Sequence, residues 1–213
     1  MRRMSEWRRN ALFAALSVLV LAIGSCTNDA TLRSTINVDR PAGAARIPLA
    51  VGLYFSPEFL AFAHRPPVDP KLTWEFRFGE MGADLFDGVF FTAFEDVHFV
   101  SARPPLAAGG PPVAAIIEPR VEMAEVRGHI GKWNVELVYL FRLYDRTGGL
   151  VMSWRIAGHG AHDASDKFVS TGAPDPALEA ALTEVGEKLM QALYGNPEIR
   201  EWLRTQGADL AGR

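Results

Sequence analysis

Apolar residues are spaced along this chain in three rhythms, and each predicts a different kind of element. From Ala11 to Ser25 they form an uncharged run, ALFAALSVLVLAIGS, whose only polar side chains are two serines. At about 1.5 Å per helical residue it reaches roughly 22 Å, short of the ~30 Å hydrocarbon core of a bilayer, so a lasting transmembrane helix is the weaker reading. A second continuous run, IPLAVGLYF from Ile47, is short and predicts a strand covered on both faces. The remaining segments either alternate with period two or recur every three to four residues.

Alternation predicts five further strands. Leu72 to Phe78 is a short edge strand, and Asp96 to Val100 another short one. Ala115 to Arg127 places Ile117, Val121 and Met123 on one face and Glu118, Arg120 and Glu122 on the other, with a phase slip at Ala124 that predicts a bulge. Trp133 to Tyr144 sets Trp133, Val135, Leu137, Tyr139, Phe141 and Leu143 on one side. Asp145-Arg146-Thr147-Gly148-Gly149 then turns the chain into a last strand, Leu150 to Gly158.

Helical spacing appears in Gly79 to Phe94, through Met81, Leu85, Phe86, Val89, Phe90 and Phe94, and in Asp175 to Tyr194, through Leu178, Leu182, Val185, Leu189 and Leu193. Gly195-Asn196-Pro197 ends the second helix, and a short third one follows from Glu198 to Thr205. The order predicts an α+β fold: a mixed, mainly antiparallel sheet of about five strands with two amphipathic helices packed on one face.

Charge changes the reading of the first run. Arg2, Arg3, Arg8 and Arg9 precede it against the single acid Glu6, the pattern of a secretory signal peptide. The run ends in Ile23-Gly24-Ser25-Cys26, and Cys26 is the one cysteine of the 213 residues. A lone thiol in an exported chain has no internal disulfide partner. This ending resembles the lipobox of bacterial lipoproteins. The resemblance implies that residues 1–25 are removed, that the Cys26 sulfur carries a diacylglyceryl group, and that the new amino group is often acylated too. Each buried methylene is worth about 0.8 kcal/mol, so two or three chains make a lasting anchor. The resemblance also implies an outer-membrane address facing the periplasm, because Thr27, not aspartate, follows the cysteine.

Residues 26–46 then read as the lipidated cysteine and a flexible polar tether, 47–205 as one periplasmic domain, and 206–213 as a frayed tail. Without the leader's four arginines and one glutamate the formal charge is −6, which argues against a nucleic-acid partner. The tether, the buried strand IPLAVGLYF, the helix-to-strand segment FFTAFEDVHFV, the strand AAIIEPRVEMAEV, the hairpin VELVYLFRLYDRTGGLVMSWRIAGHG and the last helix together resemble a broad group of envelope lipoproteins. That group includes the YajG-like lipoproteins, outer-membrane activators of peptidoglycan synthases and the curli-export channel subunit. It implies a binding or assembly role and carries over no functional residue.

Chemistry adds little. His159 and His162, with Asp163 and Asp166, form a cluster read as a solvated loop and not a metal site, since no third soft ligand accompanies them. There is no G-x-S-x-G and no P-loop. Glu118 and Glu122 lie about 13 Å apart along a strand, too far for a glycosidase pair, and with Arg120 between them they read as a solvated charge ladder. The expectation is a non-enzymatic binding or scaffold lipoprotein without cofactor or metal, with a protein or peptidoglycan partner contacted through the loops Arg65 to Pro70 and Arg103 to Pro112. The alternative is a lipid-binding or transport-auxiliary protein whose interior (Phe86, Phe90, Phe91, Phe94, Trp133) holds an acyl chain.

Overall fold

A computed structural model describes residues 27–30, 35–66, 73–106, 110–129, 132–163 and 174–208. Ile23 to Cys26 lie outside the described residues. Eleven elements follow in order: β1 (Thr27–Ala30), β2 (Ile47–Leu53), α1 (Pro57–Leu60), β3 (Thr73–Phe76), α2 (Phe78–Ala93), β4 (Phe94–Phe99), β5 (Ala115–His129), β6 (Lys132–Asp145), β7 (Leu150–Asp163), α3 (Asp175–Gly195) and α4 (Pro197–Thr205).

Five strands form one mixed sheet in the order β4-β2-β5-β6-β7. The β4–β2 and β2–β5 pairs are parallel, whereas β5–β6 and β6–β7 are antiparallel hairpin neighbours. The fold is therefore the α+β arrangement expected. Helices α2 and α3 cover one face, where Val135, Leu137, Tyr139, Phe141 and Leu143 of β6 point. The periodicity explains why. In α2 the buried positions Met81, Leu85, Phe86, Val89 and Phe90 make one stripe, and Phe86 meets Tyr139 and Phe141 edge-on at 4.9 Å each.

Helix α3 comes closer still, against β7. A side-chain carbon built at Gly160 would lie 1.8 Å from the Ala177 carbonyl oxygen, and one at Gly158 2.2 Å from that of Ala181. The helix backbone thus rests directly on two glycines of the strand. Helix α4 buries Ile199 and Leu203 and closes on Gly207, whose φ of +79° lets Ala208 N–H return to the Leu203 carbonyl at 3.0 Å. The tail expected to fray at 206 is thereby engaged as far as Ala208, which is buried.

Several expectations need correction. The described part of the expected edge strand Leu72 to Phe78 does not join the main sheet. Its core, β3, pairs in parallel with β1, out of the stretch read as a tether, and His64 bridges to Phe76 from the other side. Trp74 lies edge-on to Trp133 at 5.7 Å, so this small ladder caps the far end of the core. The chain that follows β1 also touches the domain: Val38 is buried, and Arg40 donates to the Thr92 carbonyl at 3.2 Å.

The bulge in β5 falls between Val121 and Met123, where the register to β6 shifts. The extra residue flips the phase, so Met123 is exposed and Val126 becomes the buried position. Strand β7 runs on to Asp163, past the expected end at Gly158, because it stays paired with β6 as far as Lys132.

Candidate functional site

Strand β5 outlasts its neighbour β2. The pairing between them stops at Leu53 and Ile117, and beyond that point the chain leaves β2 through Tyr54 and Phe55 into α1. Ser56 caps this turn, its buried hydroxyl accepting from Phe59 N–H at 3.1 Å, and Pro57 starts it. Between α1 and the uncovered stretch of β5 lies a cleft of about 370 Å³ lined by Ser56, Glu58, Phe59, Phe62, Arg103, Arg120 and Val121.

Glu118 anchors one wall. Its side chain is fully buried, the one carboxylate so placed among the described residues. One carboxylate oxygen accepts from the Arg103 guanidinium and from Arg120 Nη2 at 3.2 Å; the other accepts from the Tyr144 hydroxyl at 3.1 Å. Arg103 and Arg120 keep 46% and 39% of their side chains exposed, so one end of each pair is in water while the other is not. Bonding to Glu118 pushes the Arg103 pKa further up. At the mouth, Glu58 is held below the usual carboxylate range, first by its own backbone amide, then by the Ser56 hydroxyl and the attraction of Arg103 and Arg120. Two guanidinium groups are thus fixed in direction by a shared buried anion, beside an aromatic wall.

Glu118 is buried because the loop after β4 folds over the open face of the sheet. Val100, Val113 and Ile116 form a second small apolar cluster there, with Tyr54 and Leu106 against it. Leu106 N–H reaches the Arg146 carbonyl at 3.4 Å and Arg146 Nη1 the Val113 carbonyl at 3.4 Å, tying the loop to the β6–β7 turn. The peptide between Pro104 and Pro105 in this loop is cis. The expected solvated ladder of Glu118, Arg120 and Glu122 is therefore wrong for Glu118, while Glu122 pairs across the sheet with Arg155 at 2.5 Å. The signal was present in Ile116-Ile117-Glu118. Two successive isoleucines need cover on both faces, and Glu118 shares the face of Ile116.

Of the loops proposed as contacts, Arg103 reaches the cleft. Residues 67–72 and 107–109 lie outside the described residues, and Arg65 is engaged instead with Glu75 at 2.5 Å. His159 and His162 lie on strand β7, not on a loop; three residues apart on a strand, they point to opposite faces and do not converge. No group of three or more metal-ligating side chains occurs among the described residues. Asp166 and Cys26 lie outside them. Phe86, Phe90, Phe94 and Trp133 are buried, with Phe90 6.1 Å from Phe94 and 6.3 Å from Phe141, so rings fill the space proposed for an acyl chain. Phe91 is 41% exposed and belongs to the surface, since it falls outside the helix's buried stripe. No described helix is long and apolar enough to cross a membrane.

No family model matches the chain, and no curated protein matches it in sequence. Solved structures do match. Protein XCC0632 from Xanthomonas campestris, of the DUF330 family, superposes over 85% of this chain and 99% of its own, with a TM-score of 0.53 at 14% identity. The two share a fold. A minor lipoprotein from Acinetobacter baumannii matches over 70% of this chain and 92% of its own (TM-score 0.38, 8% identity). Lipoprotein GNA1162 from Neisseria meningitidis matches over 57% and 88% (TM-score 0.33, 10% identity).

Proposed function

We propose that this chain is a lipid-anchored lipoprotein of the cell envelope, held on the outer membrane through Cys26, whose periplasmic domain binds or scaffolds an envelope protein or peptidoglycan without catalysing a reaction. The observation that carries the anchor is the sequence Ile23-Gly24-Ser25-Cys26 behind a basic, apolar leader. The cleft supports the binding role. Its arginines are preoriented by Glu118, and the oxygens of that carboxylate are already taken by Arg103, Arg120 and Tyr144, which suits recognition better than proton transfer.

The partner meets the domain at this cleft. The test is photocrosslinking in living cells from a reactive amino acid placed at Phe62, with Ser153 on β7 as the control position. One envelope protein or a peptidoglycan fragment is captured from Phe62 and not from Ser153, and Arg120→Ala abolishes the capture. Equal capture from both positions would remove the cleft from the proposal.

A further inference from the structure

The two outer strands of the sheet are finished in different ways. At β7, helix α3 reaches over the edge: Lys188 Nζ donates to the Ala157 carbonyl at 2.9 Å, and the Glu184 carboxylate accepts from His159 N–H at 2.5 Å. The two side chains are themselves paired at 2.8 Å. A strand arriving at this edge would have to displace both, which is how sheet edges are protected.

At the other edge, β4 has β2 on one side and, among the described residues, no strand on the other. Near the start of β4, three side chains bond to the end of α2, Arg46 on the Phe91 carbonyl, Arg40 on that of Thr92 and Tyr194 on that of Ala93. Beside this edge the surface is apolar. Phe99 is 57% exposed, its ring 6.1 Å from those of both Phe55 and Phe91, and Phe91 is 41% exposed. Aromatic side chains clustered beside an open edge mark an interaction surface.

The strand's own sequence selects the occupant. We infer that a second copy of this chain docks here, the two β4 strands running antiparallel about a two-fold axis at Val97. In that register each Asp96 lies opposite the His98 of the other copy, on the face away from the helices. Each Glu95 lies opposite the other Phe99. Asp96 and His98 already meet at 2.9 Å within one chain, so the imidazole is within reach of carboxylates on both sides. Centring the pair on Asp96 would set carboxylate on carboxylate, and centring it on His98 would set imidazole on imidazole. Of the registers centred from Glu95 to His98, only the one at Val97 sets no like groups opposite one another at its charged positions, and cross-strand pairs of this kind select register. Symmetry doubles the benefit, because one patch supplies both halves of the contact.

Sedimentation velocity of the full chain, extracted from membranes in detergent, tests this. The wild type is expected to sediment as a dimer and Phe99→Asp as a monomer with an unchanged circular dichroism spectrum; Phe91→Asp serves as a second disruption. Asp96→Lys is expected to weaken association by about tenfold, and Asp96→Lys with His98→Asp to restore it. A wild type that stays monomeric at about 100 µM, far above the Kd of a specific complex, would overturn the inference. A dimer indifferent to Phe99→Asp and Phe91→Asp, or Phe99-dependent binding of vesicles or another protein by a monomer, would overturn it equally.

Discussion

Glu118 and Arg103 make an unequal pair, and the inequality has a measurable consequence. Arg103 is 46% exposed and can turn to water when its partner is lost; Glu118 is fully buried and cannot. A charge-assisted hydrogen bond contributes about 1.5–3 kcal/mol, and an uncompensated buried charge costs more than the bond alone. Arg103→Met leaves a buried carboxylate with only Arg120 and Tyr144, so it should cost about 2–3 kcal/mol. Glu118→Gln keeps the shape and the Tyr144 bond and frees both arginines to solvent, so it should cost only about 1–1.5 kcal/mol. For a domain of this size the first corresponds to a drop in Tm of about 4–12 °C. In the double variant the loss should approach that of Glu118→Gln alone, a coupling of about 2–3 kcal/mol. Urea unfolding of the four proteins, followed by tryptophan fluorescence, gives the cycle. Additive effects, or a larger loss for Glu118→Gln than for Arg103→Met, would refute the view that the trapped carboxylate sets the cost.

Further outcomes follow from the packing and the turns. Gly160→Ala should destabilise the domain by at least about 2 kcal/mol, because its new carbon would collide with the Ala177 carbonyl, whereas Gly88→Ala on α2 meets nothing within 4 Å and should stabilise it by about 0.5–1 kcal/mol. Thermal melts of the two variants separate these signs. In the β6–β7 turn, Asp145 is held below its ordinary 3.8 by the Thr147 hydroxyl and then by the Gly149 amide, with smaller help from Thr147 and Gly148. Its folded value is depressed, so its contribution is present above about pH 4 and is lost as pH falls through the folded value. Wild type should therefore exceed Asp145→Asn in stability near neutrality and converge with it in acid. Glu184→Ala should speed hydrogen exchange at the His159 amide, whose bond to Glu184 closes the β7 edge, while leaving the Val135 amide in the sheet centre unchanged.

The sequence carried the layers of this fold because periodicity reports which face is covered. The aromatic stripe of α2 and the strict alternation of β6 each have one buried side, and both lie where expected. Long-range pairing left weaker traces. Nothing local in Thr27-Asn28-Asp29-Ala30 says that it will lie beside Thr73-Trp74-Glu75-Phe76, and four-residue strands carry too little pattern to be assigned. The cleft was hidden for a related reason. A charged residue in an alternating strand reads as solvated unless a distant loop returns to cover it, and Arg103 does so from fifteen residues away. His159 and His162 misled in the opposite direction, since closeness in sequence became divergence once the segment proved to be strand.

On the proposed function, the mature protein begins at an acylated Cys26. Intact-mass spectrometry of the protein extracted from its native membranes measures this directly. The mass should equal that of residues 26–213 plus a diacylglyceryl group, with or without one amide-linked acyl chain. A mass that retains residues 1–25, or that shows Cys26 as an unmodified thiol, would contradict the account.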